Sequence, residues 1–406
     1  MTPNHNISFS PDGVEHLRWL QDNARRQLTF FEQSLRPDGR FCSLNWDGSP
    51  KPETAQELHT TSRMIHSFAL GKALGHEGAD KMIDAGMDAL WNWHRDQDHG
   101  GCCWQVDGTA VVDGLKLAYG HVFVLLAAAS AKKAGHLDAD RLIEDVTSVL
   151  DAHYWDKDYC RFREEYQRDW TAFSSYRGMN ANMHGVEALL TAYEATGEDT
   201  YLHRAGQILD FFVGVVAQQY DWRIPEHFTK DWQIDPTYAG NPMFRPAGST
   251  PGHSFELGRL LIQHWDLSGK PDSDAVEHAT NLISRALSDA WLPEGGFCYT
   301  LDLDGRVAVR DRYWWPVTEA LGALAVCQNV CPSRSFTDWY TQIWTFAQDN
   351  FIDREHGGWF PELNAAGAPC ETQFVGKPDI YHSLQADLLS LTKTPSRLFE
   401  SLEPRN

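Results

Sequence analysis

From Arg245 to Arg259 the chain reads Arg-Pro-Ala-Gly-Ser-Thr-Pro-Gly-His-Ser-Phe-Glu-Leu-Gly-Arg, which sets His253 three residues before Glu256. On a helix that spacing puts an imidazole and a carboxylate on one face. Pro251 and Gly252, just ahead of them, predict that the helix begins there. A titratable imidazole beside a carboxylate at a helix start is equipped to move protons near neutral pH. A solvated or purely structural pair has the same spacing, so the reading rests on whether the rest of the chain repeats the arrangement.

It does. Aromatic phrases followed by Gly- or Asp-marked hairpins recur near Phe30, Trp93, His153, Val216, Asp289 and Asn350. The period is roughly 60 residues, enough for two helices and a short hairpin. Stretches 60–73, 120–134, 182–195, 256–267 and 317–329 carry the Ala/Leu content and apolar spacing of buried helices. We therefore expect an all-α fold, an (α/α)6 barrel of about twelve helices with short β-hairpins on the active-site end, formed by residues 1–406 as one domain. An open solenoid of helix pairs is the alternative. The first dozen residues and the tail from Pro395 are expected to be loose ends.

In such a ring all six helix restarts open on one end, and chemistry is concentrated there. The restarts bring Arg63 with His66; Lys116, Tyr119 and His121; Asn180, Asn182, His184 and Glu187; His253 and Glu256; Trp315 and Glu319; and Asp379, Tyr381 and His382. The hairpins add Trp104, Trp222, Arg223, Phe244, Arg245, Phe297, Trp359 and Phe360 as a rim. Flat aromatic faces beside charged hydrogen-bonding groups suit a sugar ring. Structural readings stand beside these: His184 and Glu187 as a buried pair, Asn180 and Asn182 as helix caps, Lys116 as a bridged cation, Tyr119 and Trp315 as core.

Composition narrows the classes. Of 406 residues, 35 are Lys or Arg and 56 are Asp or Glu, a net charge of -21 that repels nucleic acid and anionic membrane surfaces. No apolar run approaches the roughly 18 residues that span a bilayer, and the first residues lack the basic head and apolar middle of a secretory signal, so we expect a cytoplasmic protein. The eight cysteines include no C-x-x-C and predict reduced, structural thiols. Two His-x-x-Glu pairs could offer metal ligands between helices, yet there is no H-E-x-x-H, Walker loop, G-x-G-x-x-G after a strand or G-x-S-x-G elbow. We expect neither metal nor cofactor, and an oligomer is compatible with the sequence.

Four motifs in order, Tyr176 to Glu187, Gly248 to Glu256, Trp315-Pro-Val-Thr-Glu319-Ala and Gly376-Lys-Pro-Asp-Ile-Tyr-His382, resemble the N-acylglucosamine 2-epimerase superfamily. The likeness is to its aldose-ketose isomerase branch, which includes D-mannose and sulfoquinovose isomerases, and it runs from about residue 40 to 390. The resemblance implies an (α/α)6 barrel without a required metal, acting on a monosaccharide through an enediolate. Carried over, it implies His253 and His382 as the acid/base pair supported by Glu256 and Glu319. It also implies Arg63, Asn180, His184 and Arg245 on sugar oxygens, and Tyr119 and Trp315 as pocket walls. For the mechanism we expect Arg245, together with Arg63, to stabilise the oxyanion. Pro361 and Pro378 stand where sulfoquinovose isomerases carry glutamines that help hold the sulfonate, and proline has no side-chain donor. A neutral hexose, D-mannose to D-fructose, is therefore expected, with D-lyxose as a smaller substrate. A sugar 2-epimerase, an (α/α)6 glycoside hydrolase or lyase and a non-catalytic sugar binder are the alternatives.

Overall fold

The computed structural model describes residues 8–238, 240–241 and 245–403. In chain order its helices are α1 (Val14–Phe31), α2 (Leu58–Ala73), α3 (Ala79–Ala89), α4 (Ala118–Lys133), α5 (Ala139–Val149), α6 (Met179–Thr196) and α7 (Asp199–Leu209). Then follow α8 (Pro251–Leu267), α9 (Ala275–Ala290), α10 (Trp314–Val330), α11 (Arg334–Asn350), α12 (Tyr381–Leu391) and the short α13 (Leu398–Leu402). The even-numbered helices pack each on the next, and α12 returns to α2, so six of them form an inner ring. The others back them from outside: α3 on α2, α5 on α4, α7 on α6, α9 on α8, α11 on α10 and α1 on α12. This is the (α/α)6 double ring expected from the repeat.

The two rings differ as their sequences require. α4 and α10 are buried around nearly their whole circumference, with Ala, Leu and Val on every side. An outer helix such as α5 buries one face only, through Ala139, Leu142, Ile143 and Val146. Wide turns continue α3, α5 and α7 at Leu90–His94, Leu150–Tyr154 and Asp210–Ala217, where the recurring aromatic phrases begin.

What aligns the inner helices is a circle of short antiparallel pairings at their N-terminal end. Residues 56–57 pair with 105–106, 116–117 with 165–166, 177–178 with 227–228 and 312–313 with 362–363. Single bridges, Ser249 to Leu301 and Leu44 to Lys377, fill the two remaining positions. Each pairing joins the entry of one inner helix to the hairpin that precedes the next. The first helical N–H groups, which have no partner within a helix, donate to these hairpins: Leu58 to Trp104 O at 2.8 Å, Ala118 to Glu164 O at 2.7 Å, Met179 to Glu226 O at 3.0 Å and Trp314 to Pro361 O at 3.2 Å. Pro251 opens α8 with no N–H to place. All six inner helices thus start on the same end, with one hairpin residue held over each junction.

Two buried lysines lock the hairpins. Nζ of Lys377 donates to Asp353 Oδ2 and Gly357 O, both at 2.6 Å, and to Trp46 O at 3.0 Å, with the residue 1% exposed. Lys116 repeats the device on Asp96, at 3.1 Å, and Gly100 O; the lysine flagged as a site candidate is a bridge between repeats. Removing one partner of a buried pair strands the other charge, at a cost of about 3–5 kcal/mol. Lys377→Met is expected to lose about that much in urea unfolding, and adding Asp353→Asn is expected to return part of it.

The described ends are packed rather than loose. Phe9 is buried against His16, Trp19 and Trp344. α13 inserts Phe399 at the far end of the ring, below His66. Apolar side chains at both ends find buried sites on helices already in place, which composition alone did not show.

Candidate active site

The junction end gathers the chemistry onto one indole. Trp315, in the first turn of α10, has the His253 ring 5.1 Å away and the His382 ring 5.9 Å away, both tilted against it. Those two legs keep the imidazole centres within about 11 Å of each other, a span suited to one small ligand. Gly252 makes this possible, because a Cβ there would overlap the Trp315 ring.

Each histidine has its own carboxylate. His382 Nδ1 lies 2.7 Å from Glu319 Oε1, and Arg259 Nη2 donates to the other oxygen of Glu319 at 3.2 Å. Burial pushes the Glu319 carboxyl up, but Arg259 and His382 outweigh it and hold the group below its usual range. His253 Nδ1 lies 2.9 Å from Oε1 of Glu226, which also accepts from the Thr250 N–H at 3.2 Å. The partner of His253 is therefore Glu226, not the expected Glu256. Three residues of helix descend about 4.5 Å, so Glu256 lies a turn deeper, toward the ring axis.

At that depth one fully buried cation meets three carboxylates. Arg259 Nη2 is 3.2 Å from Glu319, 3.7 Å from Glu256 and 3.8 Å from Glu187. Glu187 also accepts from Tyr381 Oη and, at 3.2 Å, from Gln385 Nε2. His184 Nδ1 stands 3.3 Å from Glu256 Oε1 and 3.8 Å from Glu187 Oε2. Among the described residues His184, Glu187 and Glu256 form the one group whose donor atoms lie close enough, within 4.8 Å, to hold a metal ion. Arg259 already supplies positive charge to both carboxylates, so a divalent ion would have to displace or face a guanidinium.

The remaining candidates divide. Arg63 donates to Asp379 Oδ2 at 3.2 Å and to Tyr119 Oη at 2.8 Å, lying over the rings of Phe123 and Tyr381. Tyr119 meets His184 edge-on at 5.3 Å and continues through His59 to Trp104, as a polar aromatic wall. Oδ1 of Asn180 is buried with no partner, whereas Asn182 is structural, tying Phe162 and Gly178. Arg245 is drawn to the rim by Glu165, at 2.7 and 3.4 Å, and lies over Tyr176. Arg63 and Arg245 are thus each paired with one carboxylate, Asp379 and Glu165, and Arg245, of which the oxyanion role is expected, is the one nearer the rim. His66 binds Ser130 Oγ deeper in the ring, and His121 serves Leu117 O, Cys102 N and Tyr154. Of the rim aromatics, Phe297 packs on Phe255 and Trp291, Trp359 on Trp344, Trp222 on His278 and Phe360 on Trp46. Arg223 is paired with Asp289, and Phe244 lies outside the described residues.

Glu226 was missed because it comes from a hairpin rather than a helix start. A signal existed: Trp104, Glu164, Glu226 and Pro361 fill equivalent junction positions, so each hairpin residue in register with them was a candidate.

Burial pushes His16, His66, His94, His121 and His184 down to about 4, and His59 to about 3. A histidine depressed below its unfolded value near 6.5 stabilises fully above that value and loses the contribution as pH falls toward 4, by about 1.4 kcal/mol per pH unit for each group. Burial pushes Glu164 and Glu194 up to about 7, and Glu256 and Asp387 upward as well. Their contribution has the opposite sign, being full below their unfolded values and lost as pH rises. The melting temperature is therefore expected to peak near about pH 6 and to fall on both sides, more steeply toward acid. Scanning calorimetry from pH 4.5 to 8 measures this, and a steady rise to pH 8 contradicts it.

Residues 39–386 match the model of the N-acylglucosamine 2-epimerase (GlcNAc 2-epimerase) family. The chain is 39% identical over 383 residues to a D-mannose isomerase of Thermobifida fusca, covering 93% of this chain and 94% of that protein. It is 36% identical over 399 residues to a D-mannose isomerase of Pseudomonas cannabina pv. alisalensis, covering 95% of each. A crystal structure of D-mannose isomerase superposes with a TM-score of 0.84 at 29% identity, over 92% of this chain and 97% of that one. Among the described residues no helix is long and apolar enough to cross a membrane.

Proposed function

The chain belongs to the N-acylglucosamine 2-epimerase family, and we propose that within it the protein is an aldose-ketose isomerase interconverting D-mannose and D-fructose, with D-lyxose and D-xylulose as a smaller pair. At the coarser level it is a sugar isomerase or epimerase. The observation that carries the finer reading is the pair of imidazoles on one indole, each bonded through Nδ1 to its own carboxylate. A carboxylate on Nδ1 fixes the proton there and leaves Nε2 as the free base.

The C2 hydrogen of an open-chain aldose is a weak acid, so its removal needs a placed base and a means of holding the oxyanion. His253 opens the pyranose by taking the O1 proton and passing it to O5 as the C1–O5 bond breaks, which leaves the aldehyde carbonyl at C1 and His253 again neutral. His382 Nε2 then removes the C2 proton, the C–H electron pair forms the C1–C2 double bond, and the carbonyl pair moves to O1. The O2 proton shifts to O1 and His382 returns its proton to C1 on the same face, giving the ketose. Arg63 and His184, which meet on the two sides of Tyr119, stabilise the enediolate. Arg245 shapes the rim through Glu165.

The same pair favours one second reading: delivery of a proton by His253 to the opposite face of C2 makes a 2-epimerase. Chromatography of products from mannose, fructose, lyxose, glucose and sulfoquinovose, each with and without chelator, tests both. Fructose from mannose, unchanged by chelator, is expected; glucose formed without fructose overturns the isomerase reading. Turnover of sulfoquinovose in preference to mannose overturns the neutral-sugar assignment.

A further inference from the structure

The interior below the histidines holds more carboxylates than it can ionise. Glu256 is fully buried, and both its oxygens lack a hydrogen-bond partner among the described residues. So does Nδ1 of His184, 3.3 Å from Glu256 Oε1. An orphaned buried polar atom costs about 1–3 kcal/mol, and two acceptors facing each other are both satisfied by one proton between them.

The surroundings decide which group carries that proton. Glu319 is served by Arg259 and His382, and Glu187 by Tyr381 and Gln385, with His184 Nδ1 farther from it at 3.8 Å than from Glu256, whereas the nearest arginine to Glu256 is Arg259 at 3.7 Å. Arg63 from α2, Tyr119 from α4 and Tyr381 from α12 are its ionisable surroundings at longer range. Burial first, then the charges of Glu319 and Glu187, push the Glu256 carboxyl well above its usual range, while burial holds the His184 imidazole down at about 4. A third carboxylate and an imidazolium are both disfavoured there; a neutral acid facing a neutral imidazole is not.

We propose that Glu256 stands as an uncharged carboxylic acid whose O–H is donated to Nδ1 of His184, which fixes His184 as the Nε2–H tautomer and makes it a neutral hydrogen-bond donor to the enediolate oxygen. Glu256 is then a positioning residue, acting through His184, and the inference rests on the isomerase or epimerase reading for what His184 touches. A neutral donor suits this step because it strengthens as charge gathers on oxygen, without quenching the nearby bases. Buried acids kept un-ionised and imidazoles kept neutral are established means to that end.

The test uses the whole protein and separates the two readings. In the infrared difference spectrum of wild type minus Glu256→Gln, a carboxylic-acid carbonyl band is expected from pH 5.5 to 8. Nitrogen-15 shifts of His184 in the wild type, identified by loss of the signal in His184→Gln, are expected to show Nε2 protonated and Nδ1 accepting over the same range. Glutamine keeps a neutral donor, so Glu256→Gln is expected to retain kcat within about tenfold, whereas Glu256→Met removes the donor and loses about a hundredfold to a thousandfold. An absent acid band, a His184 with its proton on Nδ1, or a Glu256→Gln loss equal to that of Glu256→Met overturns the inference. Infrared and nitrogen-15 readouts need no substrate, so they decide the protonation even if no sugar is turned over. The wild-type nitrogen-15 shifts decide it if a Glu256 variant does not fold.

Discussion

His382→Asn is expected to lower kcat for mannose by about a thousandfold to ten-thousandfold while KM moves little, because a placed general base contributes up to about that much. Asparagine fits the space between Trp314, Trp315 and Tyr381 and offers a polar atom near Glu319, so the loss reports proton transfer rather than collapse of the wall. His253→Asn is also expected to be severe, but it should fail at a different step. With mannose deuterated at C2, His382→Asn keeps a full primary isotope effect, since breaking the C2 bond limits what turnover remains. His253→Asn makes ring opening limiting, and the isotope effect falls toward unity. A full effect in His253→Asn together with none in His382→Asn exchanges the two roles. Glu226→Gln is expected to mimic His253→Asn more weakly, which checks the pairing across the junction that replaces the expected His253–Glu256 pair.

The double ring could be read from the chain because its repeat is written in residue types: Ala and Leu on every face of the inner helices, one apolar stripe on the outer ones, and an aromatic phrase before each hairpin. The candidate histidines followed, since a restart in every repeat must open on the same end. What could not be read was depth. His253, Glu256 and Arg259 follow one another at three-residue steps down α8, and a flat reading makes neighbours of the first two. In the fold they occupy successive levels, rim, middle and floor, and each finds its partner on another helix or hairpin. Glu226 lies 27 residues before His253, a separation that only the circle of junction pairings brings to contact. Arg245 shows the reverse case. Its guanidinium, expected at the oxyanion, is also paired with Glu165 from a hairpin 80 residues earlier, a partner that no local spacing encodes.

Arg259→Met removes the only arginine or lysine within 4 Å of Glu187, Glu256 and Glu319 among the described residues, and it is expected to be the most destabilising single change in the inner ring. Methionine fills much of the volume, so the effect is electrostatic: buried carboxylates left without their partner cost about 3–5 kcal/mol, and more than one is stranded here. With the guanidinium gone, burial and mutual repulsion raise the folded-state values of Glu187 and Glu319 above their unfolded ones. Such groups stabilise below the unfolded carboxyl range and lose that contribution as pH rises. The variant is therefore expected to be poorly folded at pH 7.5 and to recover part of its melting temperature at pH 5.5, where wild type changes little. Arg259→Lys keeps the charge but not the planar fork that reaches several acceptors, and should fall between the two. Adding Glu319→Gln to Arg259→Met removes one stranded charge and should restore stability without restoring turnover, because His382 then lacks its ionised partner. Equal stability of Arg259→Met and wild type at pH 7.5, by calorimetry at fixed ionic strength, would mean that these three carboxylates do not share their charge through the guanidinium.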